Sequence, residues 1–174
     1  MVKNFLCCLF ICTCQLTLSA EAQVIEEIKT AGQIYAYAQI HGDYEILLDF
    51  TYPMFIERAG GRPAMKKILK QIQETKSKKG QKLTSLEFGD DIQFTTNATE
   101  VHAIVPIISV TRVPGGTIIT ESNLIAVGTE SRGNWYFIET TSINEQNISK
   151  VLPNWNHSLE LPYKKSPVYK EENR

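Results

Sequence analysis

Two ionisable residues in the second half of the chain combine an apolar neighbourhood with acid–base chemistry near neutral pH. Glu139 lies in "NWYFIETTS", where strand alternation places its carboxylate on the same face as Trp135 and Phe137. Desolvation beside such rings favours the neutral carboxyl, as a general acid or base requires. His102 begins the apolar run "EVHAIVPIISVTRV", and an imidazole titrates at about pH 6.5. Glu139 and His102 are therefore the candidate acid–base residues, with a surface position near the strand's end as the alternative for Glu139.

Aromatic residues supply the other candidate ligand contacts. The hydroxyls of Tyr35, Tyr37 and Tyr52 could donate hydrogen bonds to a developing oxyanion, although spacing alone brings none of them to an acid–base residue. Trp135 has two interpretations, a ligand anchor or a core residue of a strand covered on both faces, and its bulky neighbours favour the core. The candidate ligand-binding residues are Tyr35, His102, Trp135 and Glu139.

Metal and phosphate chemistry have little support in the sequence. The three histidines, His41, His102 and His157, show no H-x-x-x-H type of pairing. His41 is better explained as a favourable charge at a helix C-terminus. Gly115-Gly116 follows a proline and indicates a hairpin, because no helix follows whose N-terminus could receive an anion. We expect neither a metal nor a cofactor.

Residues 1–22 have the pattern of a secretory signal peptide. Lys3 precedes an apolar run, Phe5 to Leu18, and the small-residue triplet Ala20-Glu21-Ala22 places the first mature residue at Gln23. The run is shorter than the about 20 residues needed to span hydrocarbon. A membrane anchor and a lipoprotein acylated at Cys14 are the alternatives. We expect export, to a bacterial periplasm or to the extracellular space.

Cysteine placement and charge restrict the mature protein. All four cysteines lie within the predicted leader, so an exported domain would have no disulfide and no thiol chemistry, and its apolar core must stabilise it. The net charge of -1 gives no basic excess for nucleic acid. The expected partners are a small apolar ligand or a protein, with no nucleic acid and no membrane after signal cleavage.

Helical periodicity comes first along the chain. Apolar residues at spacings of three and four predict a first helix over Val24–His41, with Gly42 as its left-handed stop and Asp43 as the cap of a short second helix, "YEILLDF". "MFIERAGG" predicts a short strand or an extended linker. Pro63 opens a third helix that ends before Gly80.

Strand periodicity follows, in four β-branched and aromatic runs: "QKLTSLEFG", "EVHAIVPIISVTRV", "TIITESNLIAVGTE" and "NWYFIETTS". No helical spacer separates these four runs, which predicts antiparallel pairing and a single α+β domain over residues 23–150. Residues 151–174 form a tail whose three prolines, Pro153, Pro162 and Pro167, disfavour regular structure. Its apolar residues predict docking on the sheet or on a dimer partner, and its last residues, "YKEENR", are expected to fray.

This order of elements resembles the nuclear transport factor 2-like (cystatin-like) superfamily. "DYEILLDFTYP", "AGGRPAMKKIL", "GNWYFIET" and "LPNWNHSLELPYKKSPV" together resemble uncharacterised exported bacterial members, over Val24 to Val168. The resemblance implies a cone-shaped fold, in which three N-terminal helices pack on a curved antiparallel sheet and the extended C-terminal tail docks on it. Members include isomerases, dehydratases, polyketide cyclases and binding subunits, so the resemblance does not select a function.

Two classes of function remain. The first is an exported, non-catalytic domain that binds a small apolar ligand or a protein partner between sheet and helices. The second is a small isomerase, dehydratase or cyclase that uses Glu139 or His102 as its base. The lack of an assembled acid–base set favours binding. We expect a pocket inside the concave face of the sheet, with Glu139 and His102 near its mouth and first-helix aromatics along its wall, and a homodimer through the sheet is a further expectation.

Overall fold

Four helices precede a six-stranded antiparallel sheet in the part of the chain that the computed structural model describes, residues 2–97, 99–129 and 133–172, with side chains from residue 20 onward. The helices are α1 (Val2–His41), α2 (Tyr44–Asp49), α3 (Pro53–Ala59), α4 (Arg62–Lys78) and a short α5 (Ile148–Val151). The strands are β1 (Lys82–Phe88), β2 (Gln93–Thr96), β3 (Glu100–Val113), β4 (Gly116–Thr129), β5 (Trp135–Glu139) and β6 (Val168–Glu171). The predicted α+β class is confirmed.

Helix α1 ends as predicted and begins earlier. His41 lies in its last turn, Gly42 adopts a φ of 69°, and the Asp43 carboxylate accepts a hydrogen bond of 3.3 Å from the backbone N of Ile46. The helix extends without a break back to Val2, through the predicted leader. The side chains of residues 1–19, on which the leader prediction depends, lie outside the described residues. Among those described, no helix is long and apolar enough to cross a membrane.

The segment predicted to be a strand or linker, "MFIERAGG", instead forms helix α3. Pro53 lies in its first turn, where the fixed φ of proline suits a helix. Gly60, with a φ of 94°, ends it in the left-handed conformation. The described chain therefore has four helices before its first strand, where three were predicted.

The long hairpin of β3 and β4 is the centre of the sheet, whose order is β1-β3-β4-β5. The hairpin pairs from Glu100 with Thr129 to Val113 with Gly116 and turns through Pro114 and Gly115, as predicted. Two short strands were not predicted, β2 on β3 and β6 on β4. The prediction that "YKEENR" frays is wrong for its first residues, because β6 pairs with the start of β4.

Both outer edges of the sheet are interrupted. On one side, the register of β1 shifts between Leu83 and Ser85, as at a β-bulge. On the other side, the backbone N of Phe137 in β5 donates a hydrogen bond of 3.0 Å to the carbonyl oxygen of Phe50. The segment after α2 thus occupies a position beside β5.

The two faces of the sheet carry separate cores, which we call the helix face and the tail face. Residues of α1 and α2 pack with strand residues on the helix face: Ile28, Tyr35, Ala38, Leu47, Val105, Leu124, Trp135 and Phe137. The segment after β5 packs on the tail face with Ile104, Ile125, Val127 and Ile138, contributing Ile143, Ile148, Leu152, Trp155 and Leu159. The core interpretation of Trp135 and the docking of the tail on the sheet are both confirmed.

Candidate ligand-binding site

Two adjoining cavities lie on the helix face. The first, of about 210 Å³, is bounded by α1, the end of α4 and strands β1, β3 and β4. The second, of about 260 Å³, is bounded by α1, α2, α4 and β5. The residues that line both cavities form the junction between them: Tyr35, Gln39, Gln73, Lys76 and Glu139.

The first cavity, which we call the polar cavity, has an apolar floor and hydroxyl and amide walls. Its apolar residues are Leu83, Leu86, Ile107 and Leu124. Its hydroxyl and amide residues beyond the junction are Gln81, Ser109, Thr111, Thr120, Ser122, Asn123, Thr140 and Thr141. Ser109 pairs with Thr120 across β3 and β4, so these side chains project from the helix face together.

The second cavity, which we call the apolar cavity, is lined mainly by hydrocarbon and rings. Its lining residues beyond the junction include Tyr44, Leu47, Phe50, Phe55, Met65, Leu69, Ile72, Phe137 and Ile138. The ring of Tyr35 lies 5.0 Å from that of Phe137 and 6.1 Å from that of Phe50, measured between centroids. The prediction that an aromatic residue of the first helix lines the pocket wall is therefore confirmed for Tyr35.

Tyr35 is a buried hydrogen-bond donor at the junction. The Gln39 amide donates a hydrogen bond of 2.8 Å to its hydroxyl oxygen, which leaves the hydroxyl hydrogen for another acceptor. Burial, and then the negative charge of Glu139, raise the pKa of Tyr35 above its ordinary value. The side chain is therefore a neutral donor across the physiological pH range.

Glu139 lies at the end of β5 on the helix face, where it pairs with Leu124 of β4. Its carboxylate lines both cavities and acts on the pKa of Tyr35. Glu139 is nevertheless exposed to solvent, as the alternative interpretation expected. The expected setting for a general acid was a Glu139 carboxylate enclosed by aromatic rings, and the end of β5 does not provide it. Lys76, also exposed, is the cation on the same junction.

His102 does not lie at the mouth of either cavity, so the prediction that placed it beside Glu139 is wrong. It pairs with Val127, which pairs with Tyr136, and all three belong to the tail face. Glu139 pairs with Leu124, three residues before Val127, and an odd separation along a strand puts side chains on opposite faces. The physical cause of the error is thus the register of the β3–β4–β5 pairing.

His102 is instead part of a buried group under the tail. Its imidazole is 0% exposed, stacks on Trp155 at 5.3 Å, and has its Nε2 3.2 Å from an oxygen of Glu100. Burial lowers the pKa of His102, and the Glu100 charge partly opposes this. Burial, and then Glu100, raise the pKa of Tyr52. Within the described residues, the Nδ1 of His102 and the Nε1 of Trp155 have no hydrogen-bond partner.

The remaining candidates are accounted for by local structure. Tyr37 is 56% exposed and its ring stacks on that of His41 at 4.0 Å. The Nδ1 of His41 lies 2.8 Å from the carbonyl oxygen of Tyr37, in the last turn of α1. His157 is exposed in the tail, 3.9 Å from Glu145. No group of three or more His, Cys, Asp or Glu residues among those described could hold a metal ion.

The structure therefore brings Tyr35 and Glu139 together on the helix face. On the tail face, His102 and Tyr52 each interact with Glu100. Trp135 packs in the helix-face core and lines neither of the two adjoining cavities. The junction residues Gln39, Gln73 and Lys76 were missed, because isolated polar residues on a helix have no distinguishing spacing.

Comparison of the chain with models of protein families, with curated proteins and with solved structures found no match. The resemblance to the nuclear transport factor 2-like superfamily stays a prediction.

Proposed function

We propose that this protein binds a small, mostly apolar molecule on the helix face, without transforming it. The observation that carries the proposal is the pair of adjoining cavities that meet at Tyr35 and Glu139. Together they have the size of small-molecule sites, which occupy about 300–1,000 Å³ and combine apolar walls with a few polar groups.

The apolar cavity supplies the binding energy in this proposal. Removing apolar ligand surface from water stabilises a complex by about 25 cal/mol per Å², and the rings of Phe50, Phe137 and Tyr35 offer such surface. The buried Tyr35 hydroxyl supplies orientation, because its free hydrogen can bond to one acceptor atom of the ligand. Exposure of Glu139 to solvent supports binding over catalysis.

A small enzyme of the isomerase, dehydratase or cyclase kind is the second candidate. The specific observation in its favour is that a neutral tyrosine donor and a carboxylate line the same cavities. Glu139 would take a proton from the substrate, and Tyr35 would donate a hydrogen bond to the oxyanion that develops. His102 is no longer a candidate base, because the tail buries it on the other face.

Export is proposed on the leader pattern. A lysine, an apolar run and the triplet Ala20-Glu21-Ala22 support cleavage before Gln23, and a periplasmic or extracellular location would follow.

Binding can be tested with N-phenyl-1-naphthylamine, a neutral fluorescent probe for apolar sites. The variant Leu69→Trp places a larger side chain in the wall of the apolar cavity. The matched control is Ile68→Trp on the same helix, because Ile68 is 40% exposed and lines neither cavity. We expect saturable binding by the natural chain and by the control, and at least about tenfold weaker binding by Leu69→Trp.

A second variant separates lost binding from lost folding. Ile72 lines the apolar cavity but is 48% exposed, so Ile72→Trp narrows the cavity without overpacking a closed core. Circular dichroism checks the fold of each variant. The proposal fails if the natural chain shows no saturable binding, or if folded cavity variants bind the probe as tightly as the control.

A further inference from the structure

The two cavities differ in chemistry, and this difference restricts the ligand. Beyond the junction, the apolar cavity presents hydrocarbon and aromatic groups, whereas the polar cavity presents hydroxyls and amides over an apolar floor. A molecule that fills both must have one apolar end and one polar end. Its middle would pass the Tyr35 hydroxyl.

The charges on the lining favour a neutral polar end. Among the described lining residues of either cavity, Lys76 is the cation and Glu139 is the carboxylate, and both belong to the junction. A ligand with a single positive or negative head would be attracted by one of these groups and repelled by the other. Beyond the junction, the polar groups of the polar cavity are neutral, so an ionic head among them would have no partner of opposite charge.

Four hydroxyls on adjacent strands are available to a ligand. Ser109 and Thr120 face each other across β3 and β4, with Thr111 and Ser122 as their diagonal neighbours. All four are half-buried, and none makes a side-chain hydrogen bond to another described residue. By contrast, the hydroxyl of Thr140 already donates to the carbonyl oxygen of Asn123 at 2.8 Å.

Hydroxyl side chains both donate and accept hydrogen bonds, so a row of free hydroxyls is complementary to a ligand that itself carries several. A carboxylate ligand, which can only accept, and an ammonium ligand, which can only donate, would each use half of that capacity. We propose that the ligand is a neutral amphiphile of the alkyl glycoside class. Its alkyl or aryl part lies in the apolar cavity, and its polyhydroxylated head contacts the hydroxyls of β3 and β4. This inference rests on the proposed function and adds the chemistry of the head.

The test compares four soluble ligands with the same six-carbon chain, each measured by displacement of the naphthylamine probe from the full chain. They are hexyl β-D-glucoside, hexanol, hexanoate and hexyltrimethylammonium. We expect the glucoside to bind about tenfold more tightly than the other three, the size of effect that one or two additional hydrogen bonds give.

Two near-isosteric variants test the assigned hydroxyls. Thr120→Val and Thr111→Val each remove one hydroxyl from the polar cavity, and Thr117→Val is the control, because Thr117 lies on β4 and does not line it. We expect each cavity variant to weaken glucoside binding about three- to tenfold and to leave hexanol binding unchanged. Thr117→Val should leave both unchanged.

The possible outcomes separate the two proposals. Equal binding of all four ligands, or tighter binding of either ion, would overturn the glycoside inference and leave the proposed function standing. If the probe binds but none of the four ligands displaces it, the glycoside inference is likewise overturned and the proposed function still stands. If the probe itself does not bind, the proposed function fails first. Cavity variants that fold and bind the glucoside normally would show that β3 and β4 do not contact the head.

Discussion

Replacing Leu152 by alanine tests whether the tail is an integral part of the domain. Leu152 is 0% exposed and belongs to the tail-face core with Ile104, Ile125 and Ile138. Its backbone N donates to the carbonyl oxygen of Ile148 at 2.7 Å, a bond that alanine would keep. The substitution therefore removes packing and leaves the backbone hydrogen bonding in place.

The expected cost follows from what the side chain loses. The three carbons removed are worth about 2.4 kcal/mol, at about 0.8 kcal/mol each, when fully buried. A cavity adds to this, and measured Leu→Ala changes in cores lie at about 2–5 kcal/mol. One wall of the new cavity is the tail, which can relax more than the sheet. We therefore expect the free energy of unfolding to fall by about 3 kcal/mol, a large share of the about 5–15 kcal/mol typical of a domain.

Urea denaturation at equilibrium, followed by tryptophan fluorescence and circular dichroism, measures this change. The chain has two tryptophans, Trp135 on the helix face and Trp155 on the tail face, so the signal reports on both cores. The control is Tyr163→Ala in the same tail, because Tyr163 is 99% exposed and should change stability by less than about 0.5 kcal/mol. If Leu152→Ala is as stable as this control, the tail does not unfold with the domain and our account of its docking is wrong.

Three further predictions concern ionisable groups and processing. Glu139→Gln should leave the fold intact and change ligand affinity by less than about tenfold if the protein only binds, whereas complete loss of turnover in an assay would support the enzyme. Because the pKa of folded His102 is lowered, the unfolded chain takes up a proton that the native chain does not as pH falls below about 6.5. The free energy of unfolding should then decrease, by at most about 1.4 kcal/mol per pH unit. His102→Gln should reduce this dependence on pH, whereas the control His157→Gln should not. If the two variants show the same dependence on pH, the burial argument is contradicted. Intact mass of protein from its native host should begin at Gln23, and a mass that retains Met1 would exclude cleavage.

Local signals predicted the parts of the fold that local physics determines. Gly42 and Asp43 mark the boundary of α1 and α2 because each satisfies a backbone requirement within a few residues. Pro114 and Gly115 set the β3–β4 turn for the same reason. Helix α3 was missed because its seven residues are too few to establish a period, and β2 and β6 were missed because strands of four residues carry little alternation.

Predicting which side chains share a face of the sheet also requires the register between strands, and local sequence patterns do not give that register. The hairpin turn alone would place His102 beside Val127, but relating either residue to Glu139 also requires the register of β5. That register depends on the loop before Trp135, whose length does not determine a turn type. The hydroxyls of the polar cavity did leave a signal. Along β3, alternate residues change from Val105 and Ile107 to Ser109 and Thr111, which marks where the helix-face core ends.

The interrupted edges of the sheet have a consequence for contacts between molecules. An exposed, flat edge strand can recruit the same strand of another copy, and this is a common start of aggregation. Here β1 carries a register shift, and the Phe137 N–H of β5 is already bonded to Phe50. The edge strands β2 and β6 have four residues each, and Pro167, which has no N–H, directly precedes β6. Association of two copies by continuing the sheet is therefore disfavoured.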